Sequence, residues 1–336
     1  MWLLLLACSG TTPGGKAGSA QPSESTAPSG SESSQADDTA TDTGSRIYVE
    51  SVPPVDTGPS TPPPCAAWGA AVATGVVADA TLEEISGVVP SQLNPGVLWV
   101  LEDRGGHPAV YAIGTDGTSL GTLTLDGVEN LDFESLALTT CAEGWCLWVG
   151  DTGDNTRSRP ERSIHRIVEP NLLDGSTVLP QTLEPESFLF FYVDVLEDVE
   201  GMVVDPTGRP VLFSKDPDGL VRLYAVSTAK PGVAQPVTPL GELQIIDESD
   251  SAGGRLVTDA SLWPDGRRLL LRTYDSVLEL TLADGGLDDI GAATVTELLG
   301  AEEEQGEGIG YDPAGAAFYQ VSEGINPTIW KVPCLE

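Results

Sequence analysis

One pattern returns five times along the chain: an acidic residue opens a short apolar strand, a turn follows, and a second apolar strand comes after it. The openings are Glu84-Ile-Ser-Gly-Val, Glu134-Ser-Leu-Ala-Leu, Glu200-Gly-Met-Val-Val, Asp259-Ala-Ser-Leu-Trp and Glu307-Gly-Ile-Gly-Tyr, separated by 50, 66, 59 and 48 residues. Four intervening turns carry Asn94-Pro-Gly, Pro206-Thr-Gly, Pro264-Asp-Gly and Pro313-Ala-Gly, combinations that close tight turns. Third strands alternate in character, as in Val110-Tyr-Ala-Ile and Thr328-Ile-Trp-Lys-Val. No long stretch shows the 3.6-residue apolar period of a capped helix. Such units bury their faces only by stacking on one another, which predicts an all-β, five-bladed β-propeller. A sixth blade, the alternative count, would have to lie in residues 171–197 of the longest interval.

The fifth repeat ends after three strands at Val332, while residues 66–77 are strand-like, so the N-terminal segment is expected to close the ring. Cys65 and Cys334 flank that join, where a disulfide would stand in for the missing hairpin turn. Cys141 and Cys146 flank Ala-Glu-Gly-Trp, a spacing that suits a disulfide across a tight hairpin. The fifth cysteine ends Leu5-Leu-Ala-Cys8, which resembles the lipobox of bacterial lipoproteins and makes residues 1–8 a signal-like segment with Cys8 as the lipidation site. Residues 9–64, rich in Ser, Thr, Gly and Pro, cannot bury enough apolar area to offset chain entropy and read as a disordered tether. Residues 65–336 form the propeller domain. The expected protein is a monomer lipid-anchored in the cell envelope, facing the periplasm or the cell surface. It touches the bilayer only through its N-terminal lipid, in a compartment that lets disulfides persist.

Charge excludes several functions. With 16 basic and 51 acidic residues the net charge is -35, which repels phosphate backbones and anionic headgroups, so no nucleic-acid partner is expected. Two histidines cannot furnish a His-rich zinc or iron site. Lys16 and Arg46 against seven acids leave -5 on the tether, and hence -30 on residues 65–336. Such an excess favours either a hard cation, with calcium the expected cofactor, or nothing more specific than solubility.

In a propeller blade the first strand lines the channel, and its start shares one face with the loop after the second strand. That geometry gathers Glu84, Glu134, Glu200, Asp259 and Glu307 at one channel mouth. Asp132 and Asp198 stand two residues before two of these openings, and Asp151-Thr-Gly-Asp154-Asn155 adds carboxylates at close spacing. The candidate metal ligands are therefore Glu84, Asp132, Glu134, Asp151, Asp154, Glu200, Asp259 and Glu307. Loops after second strands also bring Asp103, Lys215, Asp216, Arg272, Tyr274 and Glu323 to this face. Lys215, Arg272, Tyr274 and Arg157 are the candidates for binding an anionic small molecule. In the alternative, the acids hydrogen-bond to neighbouring backbone and staple blades together. Nucleophilic catalysis is disfavoured, since no Gly-x-Ser-x-Gly elbow occurs and neither His107 nor His165 has an evident serine partner in sequence.

The segments Asn130-Leu-Asp-Phe-Glu134, Val149-Gly-Asp-Thr-Gly-Asp-Asn155, Asp198-Val-Glu-Gly201 and Leu271-Arg-Thr-Tyr274 resemble those of uncharacterised secreted bacterial β-propeller lipoproteins. These are similar in layout to calcium-dependent β-propeller phytases and, more loosely, to metal-dependent lactonase propellers. The resemblance implies Glu134, Asp132, Glu200 and Asp151 as calcium ligands, Arg272 and Lys215 as anion-binding groups, and hydrolysis of a phosphoester-type substrate. Its competitor is a non-catalytic binding or scaffold propeller with structural acids.

Overall fold

The apolar strand pairs fold into five antiparallel sheets arranged around an axis in the computed structural model, which describes residues 65–175, 177–246 and 253–335. Cys8 and the tether at 9–64 lie outside the described residues. The described chain enters as β1 (Ala67–Trp68) and β2 (Val72–Val76). Blade one is β3 (Ile85–Pro90), β4 (Val97–Glu102), β5 (Ala109–Gly114) and β6 (Ser119–Leu125). Blade two begins with β7 (Phe133–Cys141), β8 (Gly144–Asp151) and β9 (Arg162–Val168). The chain then lays β10 (Gln181–Leu183) parallel to β6 on the outside of blade one before β11 (Glu186–Phe191) completes blade two. Blade three is β12 (Val199–Val204), β13 (Pro210–Ser214) and β14 (Leu220–Ala225). It is finished by β16 (Thr238–Gln244) after β15 (Gln235–Pro236) has paired in parallel with β11. Blade four is β17 (Val257–Leu262), β18 (Arg268–Thr273), β19 (Val277–Thr281) and β20 (Thr294–Leu298). Blade five is β21 (Gly306–Tyr311), β22 (Ala317–Ser322) and β23 (Thr328–Leu335), against which β1 and β2 pair antiparallel to close the ring.

Residues 171–197 therefore hold no sixth blade. The interval is long because the chain detours to pair β10 with Leu123–Leu125 on the outer strand of blade one.

The first two strands of each blade read as continuous apolar runs because stacked blades bury both of their faces. All positions of β12, β13 and β21 are buried, whereas outer β20 has none. Between blades two and three, Trp148, Phe188, Phe190, Met202 and Leu212 pack as one cluster. Each such side chain contributes about 1.5–3 kcal/mol by leaving water. Gly96, Gly208, Gly266 and Gly315, which end the four Pro-containing turns, have φ between 71° and 84°, a region closed to most L-residues.

Both cysteine pairs are joined. Cys65–Cys334 ties the segment leading into β1 to β23 with Cα atoms 5.5 Å apart, and Cys141–Cys146 spans the β7–β8 hairpin at 5.9 Å. No helix among the described residues is long and apolar enough to cross a membrane.

Each innermost strand slips register once, at a matched place. Pairing jumps between Ile85 and Gly87, Phe133 and Ser135, Val199 and Gly201, Val257 and Asp259, and Gly306 and Gly308. The residues left over are Ser86, Glu134, Glu200, Thr258 and Glu307. A bulge of this kind bends the strand and re-aims the extra side chain. The five equivalent positions thus hold three glutamates and two hydroxyls. Glu84 and Asp259, matched by sequence to the glutamates, sit two residues before and one residue after the bulge of their blades.

Candidate functional site

The hydroxyl bulges turn to the next blade. Ser86 Oγ donates to the Phe133 carbonyl at 3.1 Å, and Thr258 Oγ1 to those of Gly306 and Glu307 at 3.0 and 3.1 Å. The three bulge glutamates are joined at the mouth by groups from flanking loops.

Around Glu134, one ligating oxygen each from Asp103, Asp132 and Glu134 lies within 4.8 Å of the other two. Asp132 and Glu134 are each 3% exposed, while Asp103 is half-buried at the rim. Asp132 Oδ1 is buried and accepts no hydrogen bond, the Arg104 Nε standing 3.9 Å away. The loop is fixed from the other side, for the Asp132 N–H donates to Asp151 Oδ1 at 2.9 Å. Gly153 crosses so closely that a Cβ there would come within 2.4 Å of Glu134 Oε1. Burial, then Asp103, pushes Asp132 up to about 6 against the pull of Arg104 and Arg159. Glu134 is raised well above the ordinary glutamate range by burial and then by Glu200, Asp103 and Asp132.

Around Glu200, Lys215 donates from Nζ to Oε1 at 2.5 Å and to the Tyr274 hydroxyl at 2.6 Å. The rise that burial imposes on Glu200 is opposed by Lys215. Burial disfavours the ammonium, but Glu200 and Tyr274 more than offset this and hold Lys215 above the usual lysine range. Around Glu307, Gln305 Nε2 donates to Glu307 Oε1 at 3.1 Å and to Glu323 Oε2 at 2.6 Å. Glu307 is raised well above the ordinary range by burial and then by Glu200. Asp198 receives the Asp154 N–H at 2.8 Å.

Several candidates have other partners. Glu84 is exposed, and what it offers inward is its carbonyl, which accepts the Asp103 N–H at 2.9 Å. Asp259 is wholly buried and accepts the N–H groups of Ile309 at 2.9 Å, Ala260 at 2.8 Å and Val88, stapling blades four, five and one. Asp154 pairs with Arg162 and takes the Arg159 N–H at 2.8 Å, anchoring its own loop. Asp151 receives Arg159 Nη2 at 2.8 Å besides the Asp132 amide. Arg272 is committed to a buried pair with Glu303 at 2.9 Å, roofed by Gly306. Arg157 bonds Asp216 at 3.0 Å and the Lys215 carbonyl at 3.2 Å. Of the proposed anion-binding groups, Lys215 and Tyr274 are hydrogen-bonded at the bulge glutamates, whereas Arg272, though near Glu307, is held by Glu303.

His165 corrects the sequence reading, because it has two serine partners: Ser163 Oγ at 2.9 Å from Nε2 and Ser187 Oγ at 2.8 Å from Nδ1. Ser163 sits two residues away on β9, and Ser187 lies directly opposite on β11. This is not a nucleophile–base pair, since burial lowers the imidazole to about 4 and Asp151 approaches Ser163 at 3.5 Å rather than the histidine. His107 is exposed in the loop after β4.

No protein-family model matches the chain, and no curated protein matches it in sequence. Among solved structures, a PQQ-bound aldose sugar dehydrogenase from Streptomyces coelicolor aligns with a TM-score of 0.47 and 12% identity, over 81% of this chain and 99% of that one. A glucose dehydrogenase aligns at 0.46 and 12%, over 79% and 99%. A catalytically inactive virginiamycin B lyase from Staphylococcus aureus, solved with quinupristin, aligns at 0.37 and 13%, over 75% and 66%.

Proposed function

We propose that this five-bladed propeller is an extracytoplasmic, lipid-tethered protein that binds a divalent cation at Asp103, Asp132 and Glu134 and presents it to an anionic small molecule of phosphoester type. The observation that carries the reading is the buried, donorless Asp132 Oδ1 among converging carboxylates. A charged oxygen removed from water without a hydrogen-bond donor is costly even with Arg104 3.9 Å away, and a cation at this point would relieve Asp132, Glu134 and Asp103 together. The donor set is all oxygen and partly open to the channel, which suits calcium better than zinc.

When bound, calcium supplies Lewis acidity toward a phosphoryl oxygen and lowers the pKa of coordinated water. The chain's own part is positional. Gly153 lets the loop press against Glu134 and Asp132, and the Asp151–Asp132 hydrogen bond fixes the approach of the pair. Lys215 stays charged beside Glu200 and, with the Tyr274 hydroxyl, offers positive character to the non-coordinated oxygens of an anion.

The non-catalytic reading is favoured by Asp259 and Asp154, acids that serve as staples, and it retains the cation while dispensing with turnover. Calcium titration followed by calorimetry and thermal melting tests the site. Asp132→Asn and Glu134→Gln are expected to abolish the calcium-dependent rise in melting temperature. An undiminished rise in both variants would sink the assignment. A phosphoesterase panel with and without chelator then separates the two readings, and recovery of a Cys8→Ser protein in the membrane fraction would refute the lipid tether.

A further inference from the structure

The inner strands change character along their length, and the end opposite the acidic mouth opens into a cavity of about 580 Å³. All five blades contribute to it. Its wall includes Leu136, Leu138, Met202 and Leu262; Trp145 is the partly exposed aromatic ring there, while Trp263 and Tyr311 are buried within the wall. Among the described lining residues there is no Asp, Glu, Lys or Arg, in a chain whose net charge is -35. The polar lining side chains are neutral: Gln92, Thr139, Thr140 and Ser261.

We infer that this uncharged funnel is a binding site for an uncharged small molecule that presents both apolar surface and several neutral polar groups. Its volume falls within the roughly 300–1,000 Å³ of small-molecule pockets. A charged ligand would lose its hydration and meet no countercharge. Pro90, Pro206, Pro264 and Pro313 line the site. Proline has no N–H to donate, so these positions cannot form a ladder with an extended peptide, and a small molecule is the better occupant. Walls built on strand ends and proline turns are also preformed, which limits the ordering cost of binding. The lining begins beyond the bulges of the inner strands, at Leu136, Met202 and Ala260, and includes none of Asp103, Asp132 and Glu134.

Fluorescence titration of the full chain with the neutral probe N-phenyl-1-naphthylamine tests the inference. Saturable one-to-one uptake is expected, with the anionic analogue 8-anilinonaphthalene-1-sulfonate binding at least about ten-fold more weakly. Thr140 and Ala314 are exposed at the rim. Thr140→Asp and Ala314→Trp should each weaken the neutral probe about ten-fold or more at unchanged melting temperature. Uptake should be unaltered in Asp132→Asn, so failure of the cation site leaves this result intact. Absence of saturable uptake, equal binding of the sulfonate, or indifference to both rim variants would overturn the proposal. So would a dimer, seen by analytical ultracentrifugation, that dissociates in Thr140→Asp and takes up no probe, for a second copy would then be the occupant.

Discussion

Lys215 and Glu200 form an ion pair almost wholly removed from water: Nζ lies 2.5 Å from Oε1, with the two side chains 11% and 4% exposed. Such a pair adds little over an apolar substitute, yet losing one member strands the other. Lys215→Met should therefore destabilise the fold by about 3–5 kcal/mol in denaturant unfolding. Much of that loss should return in the Lys215→Met/Glu200→Gln double variant, because the two residues act as a unit. Additive losses would show that the pair is not coupled as its geometry implies.

Arg272 supports structure rather than ligand. Its guanidinium pairs with Glu303 beneath Gly306, where an added Cβ would come within 1.8 Å of Nη2. Gly306→Ala is expected to cost about 1–3 kcal/mol through overpacking. Arg272→Met, which strands Glu303, should cost about 3–5 kcal/mol. Calorimetry should find calcium affinity within about two-fold of the parent in both; a larger loss would return Arg272 to the binding site.

The blade count was legible because acid-led pairs of apolar strands recur five times, at intervals of 48 to 66 residues. The site register was less so. Glu84 and Asp259 look equivalent to Glu134, Glu200 and Glu307 when the marker is an acid before an apolar run. The quantity that actually repeats is the backbone bulge, occupied by Ser86 and Thr258 in those blades. Asp103 was recognisable as the residue that follows a second strand, yet only its approach to Asp132 and Glu134 distinguishes it from Asp216 or Glu323. The Ser163–His165 contact had a signal, two residues on one strand face, but Ser187 needed the pairing of β9 with β11. Strand β10 has three residues and no pattern that would announce a parallel partner in another blade.

The two disulfides should differ in worth. Cys65–Cys334 spans 269 residues of sequence and Cys141–Cys146 only five. Loop-closure entropy assigns on the order of 5 kcal/mol to the first and about 2 kcal/mol to the second. Thermal melting of the Cys65→Ser/Cys334→Ser and Cys141→Ser/Cys146→Ser proteins should rank them in that order, and the reverse ranking would mean that blade five holds closed without its covalent join.

Stability should fall as pH rises in the absence of calcium. Burial raises Asp132 to about 6 and holds Glu134 and Glu307 well above the ordinary glutamate range, so the folded state keeps protons that unfolded carboxylates release near pH 4. More protons bound to the folded than to the unfolded chain makes the slope of unfolding free energy against pH negative. This contribution is fully present below the unfolded pKa values and is lost as pH climbs through the folded ones, about 6 for Asp132 and higher for the two glutamates. Calcium competes with those protons, so its stabilisation should grow over the same range. Below about pH 4 the trend reverses, because Asp154, Asp205 and Asp216 are held below the usual aspartate range by hydrogen bonds that outweigh burial. Scanning calorimetry in chelator should give a higher melting temperature at pH 5.5 than at pH 8, and added calcium should narrow or invert the gap. A metal-free protein most stable at pH 8 would show that the mouth carboxylates are ionised in the fold without a cation.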